Sequence, residues 1–450
     1  MFRRLLIANR GEVAARVART ARRMGIEVVC VVSAADRDQA WLAEVDHVVP
    51  IGPARASASY LDQDAILEVA RHLRCSAVHP GWGFLSENET FAVRCAAAGL
   101  TFVGPSPTHL RQMGDKAVAR KTMAALGLPP IPGSPGPLQA AGEAAAIGEA
   151  YGYPLLLKAV AGGGGRGMRG VDGPEALDEA FAAASAEALA SFGDGRVYVE
   201  KRIQRGRHVE IQVLGDGYGN VVVLGERECS LQRRHQKVVE EGPAPGLSSE
   251  ERARVLPAVA KALSAARYAN AGTVEMLVDE QGRAWFMEMN TRLQVEHGVT
   301  ELLTGLDLVE LQLRVAAGER QPLRQDDVAV RGHAIEVRIN AEDPAQGFRP
   351  APGLVRGLTL PHGEGVRVDT HLSAGDRIPP NYDSMIAKLL VHAEDRPAAL
   401  TKMRAAVAAT SVDGPTTNLD LLGRILDWAP FVSGQYDTTS LEAAFAAGDL

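Results

Sequence analysis

Four consecutive glycines, Gly162 to Gly165, followed by Arg166 and Gly167, stand between two short apolar runs, 153–158 and 168–171. Neither a helix nor a strand interior tolerates such a run, because glycine loses more backbone freedom on ordering than any other residue. The flanks therefore read as strands and the glycines as the loop that closes a hairpin between them. A Gly-x4-Gly-Lys-Ser/Thr phosphate loop has to open a helix, and no such string follows, so a P-loop nucleotide fold is excluded. Bare N–H groups on mobile backbone suit phosphate oxygens, as a flap would, although a solvent-exposed turn has the same composition. Lys158 ends the first run just before this loop, where its ammonium can meet a phosphate as a point charge.

At 450 residues the chain has room for about three domains or lobes. Its 46% hydrophobic and 23% charged residues are the balance of an ordinary soluble globular protein. A net charge of −7 without a strongly basic segment excludes nucleic acid as the main ligand. Cys30, Cys75, Cys95 and Cys229 form no C-x-x-C pair, so buried reduced thiols are expected rather than disulfides or a zinc site. The first apolar run breaks at Asn9-Arg10-Gly11, too early for a signal peptide, and no stretch approaches the ~18 apolar residues of a membrane span. The expected location is cytoplasmic, with no membrane partner.

Leu5–Ala8 reads as a buried strand, Glu12–Met24 as a helix and Glu27–Ser33 as a second strand, the rhythm of a βαβ unit and a parallel sheet. The first turn, Asn9 to Glu12, lacks the G-x-G-x-x-G fingerprint, so NAD binding is not supported there. Ala77-Val78 runs into a loop, His79 to Asn88, at the carboxyl end of a strand, where open α/β sheets place ligands. Five prolines and two glycines in 129–137 predict an extended linker. From 151 to about 300 the pattern turns to hairpins, with turns at Gly215-Asp216-Gly217 and Asp279 to Gly282, and the alanine-rich 176–191 stretch reads as a helix. Beyond 330 come short strands and then a helix-rich stretch, Pro397 to Trp428.

Val197–Lys201 is an apolar strand ending in Glu200 and Lys201, adjacent residues that face opposite ways and need not pair; its end suits the amide-like edge of an adenine, or simply solvent. The runs Thr273–Val278 and Ala284–Asn290 predict a hairpin in which Glu288 and Asn290 share a side. With an even-length loop Glu275 lies opposite residue 286 or 288 and joins them, placing three oxygen-bearing side chains within roughly 5–8 Å. Such a set holds Mg²⁺, although a solvent-facing polar row has the same pattern. Arg292, Gln294 and Glu296 follow at once, so that a guanidinium can hold a planar oxyanion while a carboxylate removes its proton. Gln232 to Lys237 is a further dense polar run whose cations can line an anion site. Together these features describe phosphoryl transfer from ATP to a small oxyanion.

On these residues the chain resembles biotin carboxylase, the ATP-grasp component of biotin-dependent acyl-CoA carboxylases. The strings are IANRGEVA from Ile7, HPGWGFLSEN from His79, MGDK ending at Lys116, GGGGRGM from Gly162, HVEIQVL from His208, QRRHQKVVEE from Gln232, EMNTRLQVEH from Glu288 and RGHAIEVRINAED from Arg331. The length matches a free-standing subunit. The resemblance implies an α/β chain with an N-terminal Rossmann-like parallel-sheet domain (1–112), an ATP-grasp domain (113–330) with a mobile lid at about 130–203, and a mixed C-terminal domain (331–450). ATP contacts then fall on Lys116, Lys158, Gly164, Gly165, Glu200, Lys201, Ile203, His208, Gln232, His235, Glu275 and Glu288. Mg²⁺ or Mn²⁺ falls on Glu275, Glu288 and Asn290, and bicarbonate on Lys237, Arg292, Gln294 and Val295. Glu296 becomes the general base, Arg338 stabilises the biotin enolate, and Trp82 lies at the biotin site.

The implied reaction is deprotonation of bicarbonate by Glu296 and attack on the γ-phosphate of Mg-ATP, giving carboxyphosphate and ADP. Carboxyphosphate yields CO₂ and phosphate, the phosphate takes the ureido proton of biotin, and the enolate held by Arg338 attacks CO₂. This is the first half-reaction of an acetyl-CoA or other acyl-CoA carboxylase, as in fatty acid biosynthesis. No Ala/Val-Met-Lys-Met string is present, so biotin is expected on a separate biotin carboxyl carrier protein, with separate carboxyltransferase subunits taking the product and a homodimer as the assembly. Trp82 stands where the family usually has tyrosine and Gly298 where it has proline, which predicts altered biotin contacts and a less rigid loop at Glu296. Ala161 and Val337 are further departures of less consequence. The alternatives are another ATP-grasp ligase with a non-biotin acceptor, or a non-catalytic paralogue.

Overall fold

The computed structural model describes residues 1–161, 167–320 and 323–450. Near the amino terminus, β1 (Arg4–Ile7), β2 (Glu27–Ser33), β3 (His47–Gly52), β4 (Ala77–His79) and β5 (Thr101–Phe102) form a parallel sheet in the order β3-β2-β1-β4-β5. β2 is an almost unbroken apolar run because a parallel sheet is covered on both faces. Helix α1 (Gly11–Arg23) packs on this sheet through Val13, Ala14, Val17, Ala18 and Ala21, small enough to bring helix and strands close. The βαβ reading thus holds, and the loop after β4 leaves the carboxyl edge of the sheet.

A second, three-stranded antiparallel sheet has β6 (Leu155–Ala159) between β7 (Met168–Val171) and β8 (Val197–Lys201). β6 and β7 are the two arms of the expected hairpin; Gly164 and Gly165 lie outside the described residues. This sheet has its own small core, in which Leu155, Leu157, Val197 and Val199 meet Ala180, Ala184 and Ala188 of the alanine-rich helix Leu177–Phe192.

The proline-rich linker does run extended, bridging Pro130 to Phe286 and Gly133 to Glu200. A Cβ at Gly133 would lie 2.3 Å from the Val199 carbonyl oxygen and 3.0 Å from the Glu200 Cα. Because the obstacle is backbone, Gly133→Ala is expected to destabilise the protein by about 1–3 kcal/mol, as overpacking does. A urea midpoint equal to that of the parent would refute this reading of the contact.

The largest element is an eight-stranded sheet. Its strands are β9 (Arg207–Asp216), β10 (Val221–Arg233), β11 (Gln236–Gly242), β12 (Ala269–Val278), β13 (Ala284–Asn290), β14 (His333–Asn340) and two further strands, Met385–Ala393 and Val366–Thr370. The order is β13-β12-β9-β10-β11-β14, then 385–393 and 366–370. The sheet runs unbroken across residue 330, since β11 pairs with β14. β9, β10 and β11 bury Glu210, Arg227, Glu228 and Glu240 completely, and groups of this kind are held inside only when paired. Among the described residues no helix is long and apolar enough to cross a membrane, and all four cysteines are buried and unbridged.

Candidate active site

A cleft of about 620 Å³ opens over the eight-stranded sheet. Trp82, Lys116, His208, Gln232, His235, Lys237, Glu275, Glu288, Asn290, Arg292, Gln294, Val295, Glu296 and Arg338 all line it. Residues drawn from six strands and three loops converge because the strands of one sheet stand side by side and present alternate side chains to the same face. Lys158, Glu200, Lys201 and Ile203 do not line it; they belong to β6, β8 and the residues just after β8. Lys158 is 2.9 Å from Glu200, which also pairs with Arg120, and Lys201 donates to the Tyr153 carbonyl at 2.8 Å. Glu200 and Lys201 therefore find different partners, as their opposite facing requires.

The hairpin carries one correction. Its loop holds an odd number of residues, with Val278 opposite Ala284, so the even-loop premise fails at the turn. An irregularity between Glu275 and Met276 then shifts the register and sets Glu275 opposite Glu288 and Thr273 opposite Asn290. A bulge of this kind adds a residue to one strand and re-aims the side chains beyond it. The acids share a face because of this bulge, not because of the loop length. Asn290 Nδ2 donates to Glu275 at 2.5 Å, and Lys116 sits 2.7 Å from Glu288. His208, 3.2 Å from Glu275 and 2.7 Å from Gln232, joins the same set. Burial works against charge on Glu275, but His208 and Lys237 outweigh it and hold this carboxyl well below its usual range. The Glu275 and Glu288 carboxylates and the Asn290 amide oxygen are a hard-oxygen donor set that fits Mg²⁺.

Glu296 shares Lys237 with Glu275, whose carboxylate lies 3.7 Å from the same Nζ. Glu296 is fully buried, with Lys237 Nζ 2.5 Å from Oε1 and Arg338 Nη2 2.9 Å from Oε2. Burial pushes its pKa up, yet Lys237, Arg338 and the deeper Arg227 more than offset this and hold it well below the ordinary carboxylate range. Glu210 shares Lys237 and Arg227, and there burial and the charge of Glu296 push the carboxyl up. Two neighbouring acids driven in opposite directions are the arrangement from which one acts as a base at neutral pH.

Arg292 donates to Glu87 at 2.9 Å, to Gln294 at 2.8 Å and to Asn290 at 2.9 Å, and Gln294 reaches Glu275 at 3.2 Å. Glu87 comes from the loop after β4, so the amino-terminal sheet supplies one wall of the cleft. Trp82, on the same loop, keeps its buried indole N–H without a partner. His235 and Arg234 form the tip of the β10–β11 hairpin with φ of 64° and 47°, a two-residue turn whose residues both adopt the left-handed region. Gly298 lies in the first turn of the helix His297–Thr304, buried against Leu390, so it is helical core and not part of a loop.

Glu87, Glu210, Arg227 and Glu240 were not singled out in the sequence. The available signal was charge inside otherwise apolar strands, as in Arg207–Asp216 and Val221–Arg233.

Residues 1–110 match the family description "biotin carboxylase, N-terminal domain", residues 115–324 "carbamoyl-phosphate synthase L chain, ATP binding domain" and residues 336–443 "biotin carboxylase C-terminal domain". The biotin carboxylase of Pseudomonas aeruginosa is 48% identical over 98% of this chain and 98% of its own length. That of a Nostoc species is 47% identical over 98% and 99%. Among solved structures, the biotin carboxylase domain dimer of Hydrogenobacter thermophilus 2-oxoglutarate carboxylase, in complex with MgADP, ADP and bicarbonate, superposes with a TM-score of 0.95 at 43% identity, covering 100% of this chain and 99% of that one. A Campylobacter jejuni biotin carboxylase complex with a β,γ-ATP ligand gives 0.95 at 44% identity, covering 98% and 99%. Full-length identity of this order, three matching domains in one order and a common α/β ATP-grasp fold make the chain a member of the biotin carboxylase family of ligases.

Proposed function

We propose that the protein couples ATP cleavage to the carboxylation of biotin, with Glu296 as the base that activates bicarbonate. The supporting observation is the buried Glu296 carboxylate held between Lys237 and Arg338, in one cleft with Arg292, Gln294, Glu275, Glu288 and Asn290. Bicarbonate seats against Arg292, Lys237, Gln294 and the Val295 backbone, a donor-rich wall that matches a planar oxyanion. Glu296, anionic at neutral pH, takes the bicarbonate proton. The resulting dianion attacks the γ-phosphorus of ATP, breaking the bond to the β-phosphate bridging oxygen and releasing ADP with carboxyphosphate.

Lys116, His208, Gln232 and His235 orient the nucleotide from the cleft, Lys158, Glu200, Lys201 and Ile203 meet it from the side of the three-stranded sheet, and Gly164 and Gly165 are further contacts. Glu275, Glu288 and Asn290 would hold the divalent ion, which when bound neutralises phosphate charge. Arg338 then stands ready to stabilise the enolate of biotin, and Trp82 flanks the acceptor. The separate core of the β6–β8 sheet supports a lid over about 130–203 between an amino-terminal domain ending near 112 and a carboxyl-terminal one beginning near 331. The acceptor is biotin on a carrier protein, the product passes to a carboxyltransferase, and the chain works in the cytoplasm. A homodimer is supported by the dimer named for the Hydrogenobacter structure.

The test is ADP release by purified protein with Mg-ATP, omitting bicarbonate and free biotin in turn. Release that requires both is expected. Turnover that needs bicarbonate but ignores biotin would overturn the acceptor, and Mg-ATP binding without turnover would overturn catalysis altogether.

A further inference from the structure

The strand Met385–Ala393 is apolar core apart from the half-buried His392 near its end and Lys388, which is fully buried. A buried ammonium needs partners on every side. Lys388 Nζ donates to the Val295 carbonyl oxygen at 2.7 Å, lies 2.8 Å from Glu12 of α1 and is 3.9 Å from Asp369. Charge balance asks for the carboxylates alone. The bond to Val295 is a separate commitment, and it falls on the peptide that joins Val295 to Glu296.

In the sheet register Lys388 is directly opposite Arg338. Opposite residues on neighbouring strands project to the same face. Arg338 holds the Glu296 carboxylate at 2.9 Å while Lys388 holds the carbonyl on the amino side of the same residue at 2.7 Å. A peptide unit is planar, so fixing this carbonyl fixes the plane from which the Glu296 side chain departs. Glu296 is also the residue that begins the helix His297–Thr304, without a side-chain cap of its own. Its orientation therefore depends on what holds the preceding peptide.

We infer that Lys388 is a positioning residue for the reaction: with Arg338 it forms a cross-strand pair that grips Glu296 at the backbone and at the carboxylate, fixing the base against bicarbonate. This rests on the reading of Glu296 as the base. Lys388 touches no substrate and acts through the Val295–Glu296 peptide.

Two variants separate this role from charge balance. Glu12→Gln removes a partner of Lys388 but keeps the Val295 bond. Glu12→Gln combined with Lys388→Met removes both charges together and the Val295 bond with them, leaving the net charge unchanged and Asp369 still paired with Arg367. The expected result for the double variant is a fall in kcat for bicarbonate-dependent ADP release of about 10-fold or more, with a raised bicarbonate KM and a Mg-ATP KM within about 2-fold of the parent. Glu12→Gln alone is expected to stay within about 3-fold of the parent in kcat.

A double variant with parental kcat and bicarbonate KM overturns the inference. So does a parallel loss of Mg-ATP and bicarbonate use, which marks general disruption of the fold. If the double variant does not fold, Glu12→Gln decides: a loss of about 10-fold or more with the Val295 bond intact shows that charge balance is what matters. Absence of bicarbonate-dependent turnover in the parent protein would instead remove the reading of Glu296 on which the inference stands.

Discussion

Glu296→Ala is expected to lower bicarbonate-dependent ADP release by about 10²–10⁴-fold, the range for losing a positioned base. Glu296 is the carboxylate that Lys237 and Arg338 keep ionised inside the protein, whereas Glu275, also depressed and lining the cleft, is engaged by His208, Asn290 and Gln294. Glu210 does not line the cleft, and burial and the charge of Glu296 push its carboxyl up to about 7. The variant should still bind Mg-ATP, since Glu275 and Glu288 are untouched, and the ligand should raise its melting temperature as binding to the native state must. Parental turnover in this variant would remove Glu296 from the reaction.

Arg338→Met is expected to cost about 3–5 kcal/mol of stability as well as turnover, because it strips one partner from a buried cluster. Arg338 is the guanidinium shared by Glu240 and Glu296, both fully buried; without it two carboxylates face each other. The pH dependence follows in sign. A carboxyl depressed in the folded state stabilises the fold above its ordinary range, and that stabilisation disappears as pH falls through the depressed value. Burial alone would raise the Glu296 pKa, and Lys237 and Arg338 are the groups that lower it most. Losing Arg338 moves Glu296 back upward, so the variant should lose stability at a higher pH on acidification than the parent does. Urea midpoints across the acid range measure this; identical profiles would show that Arg338 carries no such load. Glu240→Gln in the same background should recover part of the loss by removing one of the facing charges.

The order of elements was legible in residues whose local chemistry is one-sided. The β2 run could only be a covered strand, the prolines of 129–137 could only be extended, and the apolar runs on either side of the glycine cluster pair as the arms of a hairpin. The position of Glu275 against Glu288 was anticipated through an argument about loop parity that the odd loop breaks, and a bulge restored the outcome. The extra residue sits on β13, the edge strand of the sheet, while the β12–β9 ladder stays regular, and no local residue type announces it.

The charged network beneath the cleft was less legible for a related reason. Glu210 and Lys388 sit among apolar neighbours and Arg227 and Glu240 beside further acids, and which charge meets which depends on strands distant in sequence lying side by side. The arginine–glutamate segment at 292–296 stood out because its chemistry is packed into consecutive residues. The charges that hold it in place are spread over β9, β10, β11, β14 and the strand Met385–Ala393.

The pairing of β11 with β14 bears on how the chain can be dissected. Residues 331–450 look in sequence like a module that a cut near 330 would release. Such a cut followed by separation would expose two long strand edges with unpaired backbone groups, the kind of surface that recruits foreign strands. It would also tear Arg338 from Glu240 and Glu296. The fragments should therefore remain associated after a nick and aggregate when forced apart, behaving as two halves of one interior.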